Sequence, residues 1–154
     1  MTADPARSTP HGFWMFSADY LLAARCVDTH IRKTSGVYFP TLNLYGIAIE
    51  LSLKAFLLKR GKSLDEIKNL SHNLTKTLTL ARTHKLGRVV KLERREIAAI
   101  HGLNITYSSN KLRYIVTGIV SVPNLVYISR AAEELVVGLE EMCTGRKGKL
   151  NNAL

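Results

Sequence analysis

Residues 41–60 read TLNLYGIAIELSLKAFLLKR, and the spacing of their apolar side chains decides the fold. Leu44, Ile47, Ala48, Leu51, Ala55 and Leu58 recur at intervals of three and four, which is one face of a helix. Tyr45, Ile49, Phe56 and Leu57 widen that stripe until little polar surface is left. A helix so broadly apolar has to be covered from more than one side, so it is the central element of a helical protein. Thr41 is a suitable N-cap, and Gly61 suits the position just past the C-terminus. Asn43, Glu50, Ser52 and Lys54 interrupt the apolar run, so on sequence grounds a membrane-spanning helix is excluded.

The flanking sequence keeps the helical period. Upstream, Ser17 is the expected N-cap of a helix carrying Phe16, Tyr20, Ala24, Val27 and Ile31, ending near Arg32 before Ser35-Gly36 and Pro40. Downstream, Ser63 and Glu66 form a capping box that opens a short helix over residues 63–70. A third helix follows His72-Asn73 with Leu74, Leu78 and Ala81, and ends before Gly87. A fourth runs from about Val90 through Ile97, Ile100 and Leu103 to Tyr107. Residues 113–122 are β-branched around Thr117-Gly118, which predicts a short extended arm or hairpin. From Pro123 onward, Leu125, Ile128, Ala132, Leu135, Leu139 and Met142 mark a last bundle helix. The expectation is an all-α, up-and-down bundle of four to five helices plus a short helix. It places a flexible segment at residues 1–14, the bundle at 15–144 and a disordered basic tail at 145–154.

At 154 residues, 46% hydrophobic and 22% charged, the chain suits one domain with a real core. Cys26 and Cys143 supply no disulfide framework, and residues 1–12 carry no apolar signal region. Both features predict a soluble cytoplasmic protein. The formal net charge is +10, and residues 54–95 hold twelve basic side chains against Asp65, Glu66 and Glu93, a net of +9. A positive field concentrated in one part of a fold attracts polyanions such as nucleic acid or nucleotide phosphates, and it also suits a solvated face.

Several residues qualify as functional candidates on type and spacing. Tyr107, Lys111, Arg113 and Tyr114 mix aromatic rings with cations, a combination that can stack a base and grip its phosphate; the alternative is that the tyrosines edge the core. Lys91 extends the cationic set. Glu50 and Lys54 are four apart in the favoured order for an ion pair. His72, between Ser71 and Asn73, reads as a polar lock on a helix start. No Cys, His and acidic spacing suggests a metal, and no glycine-rich phosphate loop or nucleophile elbow is present, so no cofactor is expected.

The order Ala48-Ile-Glu-Leu-Ser-Leu-Lys-Ala-Phe-Leu-Leu58, then Gly61, then Ser71-His-Asn-Leu74, resembles the HEPN superfamily of helical nucleotide-binding domains. Leu103-Asn104, Tyr107 and Lys111-Leu-Arg-Tyr114 resemble the tyrosine and Arg-Tyr segment of its prokaryotic members. The resemblance covers residues 15–143. It implies a homodimer that binds nucleotide or RNA, often beside a nucleotidyltransferase or another toxin–antitoxin partner. Some members are metal-independent ribonucleases that use an Arg and a His separated by four to six residues. Arg94 and Arg95 precede His101 by such intervals, and Arg25 precedes His30 likewise. Seven helical steps bring Arg94 nearly back over His101, whereas Arg95 falls off that face. Catalytic members usually place a polar hydrogen-bonding residue after the Arg, where this chain has Arg95 or Glu96. The expected function is therefore phosphate binding through the basic surface, with ribonuclease activity or a non-catalytic interaction role as alternatives.

Overall fold

The computed structural model describes residues 8–31, 39–109, 112, 121–146 and 148. Among them the regular structure is entirely helical: α1 (Pro10–Ile31), α2 (Phe39–Lys59), α3 (Leu64–Asn69), α4 (Leu74–Thr83), α5 (Arg94–Tyr107), α6 (Leu125–Gly138) and α7 (Glu140–Thr144), with a 3-10 turn at Leu86–Arg88. Five helices form the bundle, and α3 and α7 are short. The expected arm at 113–122 and basic tail at 145–154 lie mostly outside the described residues.

The second helix is the axis of the molecule. It packs against each of the other six α-helices, and Tyr45, Ala48, Ile49, Leu53, Ala55, Phe56 and Leu57 are buried along it. By length and composition α2 could cross a membrane, contrary to the sequence expectation; here most of it is buried inside the bundle. Gly61 ends it with φ +87°, the left-handed conformation that glycine adopts without steric cost.

The first helix starts earlier than expected. The Thr9 hydroxyl accepts from Gly12 N at 3.0 Å, which caps a helix beginning at Pro10. Residues 10–14 therefore belong to the bundle and not to a flexible leader. Trp14 is buried and donates its indole N–H to the Val136 carbonyl on α6 at 2.8 Å. Ser17 is no cap: it is buried within α1 and donates to the Trp14 carbonyl. The inward face is Trp14, Ala18, Leu21 and Ala24, which leaves Phe16 57% exposed.

Local capping signals account for the middle of the chain. Ser63 and Glu66 make the reciprocal capping box of α3. Asn73 caps α4 through a bond from Lys76 N at 2.9 Å. Glu93 and Glu96 form a second box, so α5 starts at Arg94 and not at Val90. Residues 89–93 cross between the turn and α5, and buried Val90 packs against Gly138, where a Cβ would stand 2.9 Å from a Val90 methyl.

Candidate functional site

Two polar constructions dominate the molecule, one inside and one at the surface. The inner one centres on Glu50, 5% exposed on α2. Its Oε1 accepts from Lys54 Nζ at 2.5 Å. Its Oε2 accepts from the Tyr107 hydroxyl at 2.6 Å and lies 3.1 Å from His72 Nδ1. Lys54 also donates to the Ser71 carbonyl at 2.8 Å. Burial raises the affinity of Glu50 for a proton, but Lys54, Tyr107 and His72 together outweigh it and hold the carboxyl below its ordinary value. Glu50 and Lys54 are thus a buried pair and not a surface one.

Tyr107 reaches this carboxylate because α2 has a glycine beneath its ring. A Cβ on Gly46 would stand 2.6 Å from the Tyr107 Cδ2 and Cε2 atoms. Tyr107 is 3% exposed, so it cannot stack a base as the mixed aromatic and cationic reading expected. Its hydroxyl is held by a buried anion, and its ring forms the core edge. Lys111, Arg113 and Tyr114 lie outside the described residues.

Helix α5 then docks onto the first turn of α4 through residues three apart. Asn104 Oδ1 accepts from Leu74 N at 2.7 Å, and His101 Nδ1 shares a hydrogen bond of 2.9 Å with the Thr75 hydroxyl. The two helices therefore run antiparallel, with the start of α4 against the second half of α5.

The surface construction lies at the other end of α4. Arg82, Lys85, Arg88 and Lys91 line one concavity of about 480 Å³, over aliphatic Leu86, Val90, Leu92 and Ile97. All four cations are exposed. None of them pairs with a carboxylate among the described residues. They recur every third residue, across the last turn of α4, the 3-10 turn and the irregular residues that follow it. Side chains three apart in 3-10 geometry superpose, which aligns Lys85 with Arg88 across the turn, and the left-handed backbone at Lys85 redirects the chain between Arg82 and that turn. Regional charge points to the segment, but only the three-residue interval singles out Arg82, Lys85 and Arg88.

Other cations of the segment are engaged elsewhere. Lys62 pairs with Glu66 at 2.8 Å and draws that carboxyl down to about 2. Arg60 lies over the Phe56 ring and donates to the His84 carbonyl at 3.2 Å, fixing the end of α4 beside Lys85. Arg95 turns to α6, donating to the Tyr127 hydroxyl at 2.8 Å and lying over its ring; that engagement removes it from a pairing with His101. Arg94 is exposed, and Arg94, Ile97 and His101 share one α5 stripe whose middle residue lines the concavity. About 10.5 Å of helix rise separates Arg94 from His101. Arg25 points to Glu133 at 3.7 Å.

Thiol and metal chemistry find little here. Burial pushes the Cys143 thiol up to about 11, and both cysteines are free. Among the described residues no three His, Cys, Asp or Glu side chains gather as metal ligands. Comparison with protein-family models, with curated proteins and with solved structures finds no match to this chain.

Proposed function

We propose that this HEPN-like helical protein binds nucleotide or RNA phosphate through its basic concavity, as a homodimer and in a toxin–antitoxin or defence-type setting. The observation that carries the reading is the convergence of four unpaired cations, Arg82, Lys85, Arg88 and Lys91, on one depression. Unpaired guanidinium and ammonium groups above an aliphatic floor favour phosphate by charge and by charge-assisted hydrogen bonding. The internal Glu50 cluster supports this by fixing α4 and α5, the helices that flank the depression.

The test is titration of labelled single-stranded RNA and of ATP at two salt concentrations. Binding at low salt that weakens steeply as salt rises is the expected result. Absence of binding at low salt, or binding indifferent to salt, overturns it.

One observation favours a second reading, metal-independent RNA cleavage. Arg94 and His101 stand on one stripe of α5 with Ile97, which lines the concavity, while His101 itself bonds Thr75 at the start of α4; a guanidinium on that stripe could hold a phosphate and an imidazole could move a proton. Incubation of the protein with total RNA in EDTA separates the two readings.

A further inference from the structure

The lining of the concavity also says which kind of phosphate it suits, a step that rests on the phosphate-binding reading above. We propose that the concavity takes a compact oligophosphate, three phosphoryl groups in a row, without regard to any attached base, and that Lys85 sets this preference.

Charge matching comes first. One phosphate monoester carries about −1.5 to −2 at neutral pH, which leaves half of four convergent cations unanswered. An extended strand presents about one charge per phosphate, so only a small part of its charge fits a single depression. Three linked phosphoryl groups bring a charge close to that of Arg82, Lys85, Arg88 and Lys91 into a space of about 480 Å³.

The rest of the lining explains the indifference to the base. Leu86, Gly87, Val90, Leu92 and Ile97 complete it. None offers an aromatic face for stacking, and no amide or carboxylate side chain is there to pair with a base edge. Recognition therefore falls to the four cations, and three phosphoryl groups engage all of them, Arg82 and Arg88 included.

Lys85 supplies an independent argument. It follows His84, the C-cap of α4, and its φ is +67°. That left-handed position is one that glycine fills without strain and that a side chain with a Cβ fills at a cost. Gly87, two residues on, adopts no positive φ. The strained position therefore holds a cation although a glycine is close by in sequence. Backbone strain retained beside a lined depression is the mark of a position kept for its side chain.

The experiment measures binding of sodium tripolyphosphate, orthophosphate, ATP, GTP, and a short single-stranded RNA with either a 5′-triphosphate or a 5′-hydroxyl, all to the full chain at one ionic strength. Tripolyphosphate, ATP and GTP are expected to bind within about threefold of one another, and orthophosphate at least tenfold more weakly. Lys85→Gly and Lys85→Asn should weaken tripolyphosphate binding about tenfold while the melting temperature stays level or rises. Triphosphate-ended RNA that binds about as tightly as tripolyphosphate, with 5′-hydroxyl RNA at least tenfold weaker, would support the inference and admit the strand end as a source; a strong preference for that RNA over tripolyphosphate would refute recognition through the phosphates alone. Preference for the small molecules would support it and name free nucleotides or polyphosphate.

Binding of 5′-hydroxyl RNA without binding of tripolyphosphate would overturn this inference and leave the general phosphate reading standing. Failure of every ligand, RNA included, would overturn both. Discrimination between ATP and GTP would refute the base-blind lining, and unchanged affinity in both Lys85 variants would refute the role of that residue.

Discussion

Replacing Glu50 by Gln tests the central claim about the interior, that one buried carboxylate joins α2, the start of α4 and the end of α5. The substitution keeps shape and hydrogen-bonding capacity but removes the negative charge. Lys54, whose side chain is 10% exposed, then becomes a buried ammonium without its counter-ion. Breaking a buried pair on one side costs about 3–5 kcal/mol. With a urea slope of about 2 kcal/mol per molar, the unfolding midpoint should fall by roughly 1.5–2.5 M. The variant should also alter the pH profile. The folded carboxyl of Glu50 is held below its ordinary value of 4.5, so its contribution is present above the unfolded value and is lost as pH falls through the folded one. Wild-type stability should therefore decline in acid below about pH 4.5, and Glu50→Gln should flatten part of that decline. Glu66 titrates low as well, so the informative quantity is the difference between the two proteins. A midpoint shift under 0.3 M (about 0.6 kcal/mol at that slope), with parallel acid profiles, would show that the cluster holds nothing together.

Further outcomes follow from the same geometry. Gly46→Ala places a methyl 2.6 Å from the Tyr107 ring; the ring must leave Glu50, and stability should drop by about 1–3 kcal/mol in chemical denaturation. Lys91→Glu puts a carboxylate in the concavity, so RNA or ATP affinity should fall at low salt while the melting temperature holds, because Lys91 is exposed. If total RNA is cut in EDTA, His101→Ala should abolish the cutting; surviving activity would remove Arg94 and His101 from the chemistry. Asn73→Ala removes the bond to Lys76 N and should cost about 1 kcal/mol in the same denaturation assay.

The parts of this molecule governed by neighbouring residues are legible in its sequence. The breadth of apolar surface on residues 41–58 identifies the helix that every other α-helix touches. Ser63 with Glu66, and Gly61 after Lys59, mark their helix ends without outside help. The start of α1 is harder to read: the sequence points to Ser17 as its cap, and the structure puts Thr9 in that place. The choice between them is made by the Trp14 bond to Val136, a residue on α6. Tyr107 is a stronger instance. Its neighbours leave two readings open, a stacking face or a core edge, and a glycine far away on α2 decides for the core by opening the space that buries the ring. The concavity falls between these extremes. Its three-residue cation repeat is written in the sequence, but a charge total over residues 54–95 averages the spacing away. Its meaning also depends on a 3-10 turn that residue propensities do not announce.

The internal charge cluster and the surface depression are two ends of one problem, the placement of α4. At ten residues, α4 is too short to be stable by its own hydrogen bonds, and left-handed residues without glycine flank it, Ser71 before and Lys85 after. At the first, Lys54 holds the Ser71 carbonyl; at the second, Arg60 holds the carbonyl of His84. An uncharged pair in place of Glu50 and Lys54 would fill the space but, with Met at position 54, could not hold that carbonyl. The double variant Glu50→Gln/Lys54→Met should therefore recover most of the stability lost in Glu50→Gln, because no buried ammonium remains. Its α4 should nonetheless open more often, seen as faster amide exchange at residues 76–78. Exchange as slow as in the wild type would mean that the ammonium serves only its carboxylate, and that the turn into α4 keeps its left-handed shape unaided.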